Sequence, residues 1–344
     1  MKKLFVNILL ITFGLFVSSS NAQLFRNTTK VGTTAGQFLK IGAGARAIGL
    51  GGTYSALGND IYSVYWNPAG IATSPSNAEV SFNHANWLAD MKYDFAAGAM
   101  KIEGLGTISA SLMTFKVPED KVRTFENPEG DGRVWDASSI SIALGYAKEL
   151  TDRFAIGFNF KYIREGIWNT SASGFAIDVG TLYRTPFNDL KIAAVVSNFG
   201  TTMRLDGRDI LFNDDPNNNP DTGPNNIPAQ YQTNDFDLPL TFRLGLAMDV
   251  VKDRFIRISA AVDATHPNDN TEYVNSGLEF AYDEMFFFRI GYKSLFLDNS
   301  EQGLTLGGGL KYRFNDNLGV YINYGYADYG RLENVQFFDL GLIF

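Results

Sequence analysis

Beyond residue 78, large apolar residues fall at every second position through most of the chain. Phe154, Ile156, Phe158, Phe160 and Tyr162 alternate with Ala155, Gly157, Asn159 and Lys161. Phe242, Leu244, Leu246, Met248 and Val250 alternate with Arg243, Gly245, Ala247 and Asp249. The pattern returns in Leu304, Leu306, Leu310 and Tyr312, and again in Leu318, Val320, Ile322, Tyr324 and Tyr326. A period of two with one apolar face is the signature of a β-strand. Fourteen strands are predicted, at 79–87, 93–102, 106–115, 138–148, 153–163, 174–184, 189–199, 239–250, 254–264, 273–283, 285–295, 303–314, 317–326 and 335–344. Each runs to about ten residues, the length at which a tilted strand crosses a bilayer.

A soluble sandwich also alternates, so the connections decide the environment. Short turns fall around Gly104, Thr151-Asp152, Asn188, Lys252-Asp253, Asp283-Glu284 and Asn315-Asp316. Longer polar loops fall around Pro118 to Trp135, Glu165 to Ser173, Gly200 to Leu238, Thr265 to Thr271, Leu297 to Gln302 and Ala327 to Asn334. An even strand count, with short periplasmic turns alternating with longer external loops, belongs to outer-membrane barrels. The fold class expected is therefore all-β, a transmembrane antiparallel β-barrel.

Residues 1–22 read as a signal peptide. Lys2 and Lys3 are its basic start, Leu4 to Val17 its apolar centre and Ser20-Asn21-Ala22 its cleavage site. The centre is shorter than the ~20 residues of a spanning helix. No later window is long and apolar enough to cross a membrane as a helix, so an integral protein here must be a barrel. The chain divides into a signal (1–22), an N-terminal segment (23–78) and a barrel (79–344).

Within the N-terminal segment, Gly42 to Ala72 is neither leader nor strand. Gly42, Gly44, Gly49, Gly51, Gly52 and Gly58 are separated mostly by Ala, Ile and Leu, which permits close backbone approach. The stretch ends in an Asn67-Pro68-Ala69-Gly70 turn. It is expected to be a compact plug against the inner wall of the barrel.

Composition narrows the chemistry. The 344 residues carry a net charge of −8 with a pI near 4.9, against the basic footprint that nucleic acid requires. Phe and Tyr number 28 and 16, yet mean hydropathy is only −0.09, as alternation rather than clustering of apolar residues would give. With no cysteine, disulfides, thiolate metal sites, a cysteine nucleophile and a lipoprotein anchor are excluded. The only histidines, His84 and His266, lie far apart without metal-ligand spacing. No Gly-x-Ser-x-Gly elbow occurs, and Gly49-Leu50-Gly51-Gly52 lacks the βαβ context of a phosphate loop. No catalytic residue, metal site or cofactor is expected.

Residues from Gly200 to Leu238 form the best candidate for partner contact. Asp206, Asp209, Asp214, Asp215, Asp221, Asp235 and Asp237 make the insertion acidic, with Tyr231 and Phe236 among its apolar members. Pro216, Pro220, Pro224 and Pro228 are expected to keep it irregular. Asp215, Asn217, Asn219 and Asp221 have the alternate spacing of a calcium loop. However, Pro220 stands where an EF-hand needs Gly, and Asn226 where it needs Glu. A solvated loop with Asx turns is the better reading.

Gly44-Ala45-Arg46-Ala47-Ile48-Gly49-Leu50-Gly51-Gly52, followed by Tyr65-Trp66-Asn67-Pro68-Ala69-Gly70, resembles the PorV/PorQ family of outer-membrane proteins, within the wider FadL-like barrels. That resemblance implies fourteen strands and an N-terminal plug. The secretion component of the family usually carries Asp where Gly44 and Gly52 stand, and this chain departs at both. The final strand, with Phe338, Leu340, Leu342 and Phe344 on one face, is similar to the C-terminal signal read by barrel-insertion machinery. Two activities are implied. One is type IX secretion, with the translocon and cargo signal domains as partners beside outer-membrane lipid; the other is passage of hydrophobic small molecules. Arg46 is expected to pin the plug to a lumen carboxylate such as Asp178, Asp249 or Asp263. The inward-facing residues are mostly Gly, Ala, Ser, Asn, Asp and Lys, which leans toward binding rather than a greasy channel.

Overall fold

A computed structural model describes residues 30–214, 227–315 and 318–344. The predicted signal peptide lies outside the described residues. Strands β1 (Ala78–Asn86), β2 (Lys92–Ile102), β3 (Gly106–Lys121), β4 (Val134–Thr151), β5 (Phe154–Ile167), β6 (Thr170–Arg184) and β7 (Lys191–Gly200) follow one another as antiparallel neighbours. After the long insertion come β8 (Thr241–Lys252), β9 (Ile256–Pro267), β10 (Tyr273–Tyr282), β11 (Phe286–Leu295), β12 (Leu304–Asn315), β13 (Leu318–Asp328) and β14 (Asn334–Ile343). Strand β7 pairs with β8, and β14 returns to β1 with Leu340 opposite Phe82. The ring is closed, so no strand of the wall is left as an edge.

Alternation is what closes it in lipid. Phe82, Leu112, Leu144, Phe160, Leu244 and Ile322 stand outward and exposed, and their counterparts on the other strands complete an apolar belt of the kind a barrel turns to hydrocarbon. Inward positions are small or polar, among them Asn83, Asn159, Asp178, Asp263, Asn323 and Asp339, all buried.

Eight strands leave an interior that side chains can fill; fourteen leave a wider one. Here residues 36–76 occupy it, in short helical turns (Gln37–Lys40, Ala45–Gly49, Ser63–Trp66 and Pro68–Thr73). Nearly every one of these residues is buried.

The strand count matches the sequence pattern; the outer ends of several strands do not. The loop expected at Glu165 to Ser173 is almost wholly hairpin, because β5–β6 pairing runs to Ile167 and Thr170. The loop expected at Pro118 to Trp135 remains at 122–133 and loses only its ends to β3–β4 pairing, which runs to Lys121 and Val134. The apolar pattern stops at the lipid boundary, whereas ladder hydrogen bonding has no reason to stop there. The acidic insertion is also more regular than its prolines suggested. Leu211–Asp214 pairs with Ile227–Gln230, which contains Pro228, and Met203–Arg204 pairs with Asp235–Phe236. Proline is tolerated at such short edges, where its missing N–H faces away from the partner.

Candidate functional site

The nine predicted motif residues of the inner segment come together in the barrel interior. Asn67 caps the last helical turn: its Oδ1 accepts from Ala69 N at 3.0 Å. Its Nδ2 donates to Ser55 O at 2.7 Å and to Thr181 O of β6 at 3.1 Å. The turn can lie so close to the wall because β6 presents Gly180. A Cβ there would fall 2.0 Å from Asn67 Oδ1. At the other end of the motif, Gly44 has φ +90°, and a Cβ would meet the Tyr62 ring at 2.6 Å. Gly49, Gly51 and Gly52 carry the chain past the wall between these points, and Pro68, Ala69 and Gly70 are buried in the turn itself.

Arg46 projects from this scaffold into an ion cluster. Its Nε and Nη2 each donate at 2.8 Å to the two carboxylate oxygens of Glu279, a bidentate pair. Nη1 donates to Asp60 Oδ2 at 2.9 Å, and the guanidinium lies over the Tyr54 ring. Glu279, on the inner face of β10, also accepts from Arg289 Nε at 2.8 Å and Arg257 Nη1 at 3.1 Å. Its side chain is 0% exposed and that of Arg46 14%.

The expected lumen partners of Arg46 are therefore corrected. Asp178 pairs with Lys161 at 2.7 Å, Asp249 accepts from Ser259 Oγ at 2.6 Å, and Asp263 accepts from Ser55 N at 3.1 Å. All three point inward, but none lies where Arg46 emerges. Glu279 was missed, although a visible signal marks it: in Leu278-Glu279-Phe280 it is the lone carboxylate between two outward apolar residues.

Other carboxylates fasten the segment along its length. Ala45 N donates to Asp339 Oδ2 at 2.8 Å, and Asn83 Nδ2 to Asp339 Oδ1 at 2.7 Å. At the outer end, Asp269 receives Lys40 Nζ at 2.7 Å, Gln37 Nε2 at 2.9 Å and Thr34 Oγ1 at 3.0 Å. Burial alone would raise Asp269; the hydrogen bonds from Gln37 and Lys40 and the Lys40 charge outweigh it and hold the carboxyl below its ordinary value. Gly36 N donates to Glu165 Oε2 at 2.9 Å nearby.

Beneath the cluster, at the short-turn end, a chamber of about 430 Å³ remains. Its wall is charged, lined by Arg184, Lys191 and Lys311 as well as by Asp60, Glu79 and Asp249.

The remaining predicted residues lie elsewhere. Asp206, Asp209, Asp214, Tyr231 and Phe236 are at the outer rim, where Asp209 accepts from Asn169 Nδ2 at 3.1 Å and Tyr231 packs against Phe212 with ring centroids 4.6 Å apart. Tyr231 is 63% exposed. Asp215 and Asp221, with the rest of the calcium-like spacing, lie outside the described residues. Phe338, Leu340 and Leu342 are on the outward face of β14, and Phe344 is also exposed. His84 pairs with Asp94 and His266 with Glu272. Among the described residues no group of three or more His, Asp or Glu is arranged to hold a metal ion.

The family described as "Type IX secretion system protein PorV" matches residues 25–267. No curated protein matches the chain by sequence. Among solved structures, the toluene transporter TodX of Pseudomonas putida superposes with a TM-score of 0.55 at 11% identity, covering 88% of this chain and 97% of that one. The toluene transporter TbuX of Ralstonia pickettii gives 0.52 at 12% identity, covering 88% and 97%. A Pseudomonas aeruginosa FadL homologue gives 0.52 at 12% identity, covering 87% and 97%. At such identities the likeness is one of fold. Fold and family together are those of a protein of the bacterial outer membrane.

Proposed function

Because the chain belongs to the PorV family of type IX secretion system proteins, we propose that it is a non-catalytic shuttle that binds the signal domain of exported cargo. It collects that cargo from the translocon and hands it to the attachment machinery. Residues 1–22 direct export and are removed, 23–78 supply a standing plug, and 79–344 form the barrel.

The observation that carries this reading is the filled interior. The segment 36–76 is fixed to the wall by the Arg46–Glu279 pair and by Asp339 and Asp269, so the working surface is the rim rather than a bore. An apolar solute would also meet the charged chamber, where it gains nothing from burial. Rim loops on a rigid scaffold are where binding residues concentrate, and the insertion around Asp206, Asp209, Asp214, Tyr231 and Phe236 is the largest of them.

Affinity purification from native outer membranes tests the proposal. The wild-type barrel should recover translocon or cargo components, and a variant with residues 201–237 replaced by a short Gly-Ser linker should lose them. Saturable uptake of a labelled fatty acid by reconstituted barrels, with no secretion component recovered, would overturn it.

A further inference from the structure

The acidic insertion carries a two-stranded ribbon whose backbone is only half used. Leu211–Asp214 pairs with Ile227–Gln230 at the outer rim, and neither strand is paired on its other side among the described residues. The ribbon is held at its base. Asp206 and Gly207 pair with Ser171 and Thr170 at the outer end of β6, Arg208 N donates to Asn169 O at 3.2 Å, and Phe212 packs against Tyr231. Leu211, Phe212, Asn213 and Asp214 are all exposed.

The two outer edges of the ribbon differ. Tyr231 N donates to Ile210 O at 2.9 Å, so 210 and 231 are a directly bonded pair, and the next bonded pairs are Phe212–Ala229 and Asp214–Ile227. The residues between them turn their backbone groups away from the ladder. On one strand these are Leu211 and Asn213, with two N–H and two C=O groups that have no partner among the described residues. On the other they are Gln230 and Pro228. Pro228 has no N–H to offer, and its ring obstructs approach. One edge is blunted and the other is open. A two-stranded sheet is marginal by itself, and an open edge is a template for a third strand.

We propose that the Leu211–Asp214 edge takes up an extended segment of the cargo signal domain as a third strand. The inference rests on the secretion reading and deepens it by naming how the rim holds its cargo. Main-chain bonds to Leu211 and Asn213 supply affinity, and the side chains beside them supply selection. Phe212, packed with Tyr231 on one face of the ribbon, calls for an apolar neighbour. Asp214, on the same face as Phe212 and in an insertion that also carries Asp206 and Asp209, calls for Lys or Arg. The segment recognised therefore has an apolar residue beside Phe212 and a basic one two positions away, beside Asp214.

The test is titration of the detergent-purified mature chain with a purified cargo signal domain from the same bacterium, read by calorimetry and by hydrogen exchange. Binding should protect the Leu211 and Asn213 amides and leave those of Phe212 and Asp214, already turned to the neighbouring strand, nearly unchanged. That alternation separates strand addition from contact through side chains. Asn213→Pro copies on this edge what Pro228 does on the other. It should weaken binding at least about tenfold, since the lost bond and the obstructing ring together cost on the order of one decade. Asn213→Ala keeps the backbone N–H and should bind within about twofold of wild type. Unheated electrophoretic mobility confirms that each variant is a folded barrel. Undiminished binding by folded Asn213→Pro, or equal losses in the two variants, overturns the edge and leaves the secretion reading standing; no binding by the wild type removes both. Self-association of the purified chain that Asn213→Pro abolishes would give the edge to a second copy and overturn the cargo assignment.

Discussion

Arg46 and Glu279 meet through two parallel hydrogen bonds of 2.8 Å, joining a helical turn of the inner segment to the middle of β10. The two partners are not equivalent. Without Arg46, Glu279 retains Arg289 and Arg257; without Glu279, Arg289 retains only Asn323 Oδ1 at 2.8 Å and Gly308 O. Breaking a buried pair costs about 3–5 kcal/mol, chiefly through the charge left behind. Glu279→Gln should therefore destabilise the barrel more than Arg46→Met in denaturant unfolding from detergent. Equal losses would mean that the three guanidiniums do not depend on the shared carboxylate.

The approach of Asn67 to Gly180 makes a second prediction. Gly180→Ala places a Cβ 2.0 Å from Asn67 Oδ1, so the turn must leave the wall and give up its bond to Thr181 O. Asn67→Ala loses the same bond and two more without the clash. Both variants should lose about 1–3 kcal/mol, the cost of stranding buried polar groups, and should admit protease to the inner segment. Gly98→Ala is the control, because its Cβ meets only Val80 Cγ1 at an ordinary 3.5 Å.

Gly44 explains one departure from the family pattern. With φ +90° and the Tyr62 ring 2.6 Å from a would-be Cβ, the position has no room for the Asp that the resemblance gives to the secretion component and from which this chain departs. Gly44→Asp should unsettle the turn at Ala45 and weaken the bond from Ala45 N to Asp339, at a cost of about 1–3 kcal/mol for the backbone strain. Gly44→Asp/Tyr62→Ala should recover part of that loss by removing the obstructing ring. Absence of any rescue would place the strain in the backbone alone.

The barrel itself was legible because lipid imposes a strict rule: alternation read from residues such as Phe242 to Val250 has one outcome when the outer face meets hydrocarbon. Strand ends above the bilayer escaped, since Glu165 and Ser173 are polar whether they sit in a ladder or a loop. Within the interior, the motif from Gly44 to Gly70 announced a close-packed segment but not its partners. Arg46 offered no way to choose among inward carboxylates, because that choice depends on how far round the ring the segment turns before Arg46 emerges. Glu279 and Asp269 are separated from Arg46 and Lys40 by more than two hundred residues, and only the closed topology brings them together. The chamber is less legible still: Arg184, Lys191 and Lys311 belong to three different strands and share nothing in sequence.

Acid should loosen the outer end of the segment first. Asp269 is 1% exposed and its pKa is held below the ordinary carboxylate value by Gln37, Lys40 and Thr34. A group depressed in the folded state stabilises it fully above its unfolded pKa, about 4 for Asp, and that contribution fades as pH falls through the lower folded value. The anchor should therefore be constant from neutrality to about pH 5 and weaken below pH 4. Hydrogen exchange of the Ala35 and Leu39 amides, corrected for intrinsic rates, should show protection falling over that window while amides of β10 stay protected. Asp269→Asn keeps the shape but removes the titrating charge. It should lower protection at neutral pH and flatten the part of the profile that Asp269 supplies; an unchanged profile in this variant would assign the acid response to another group.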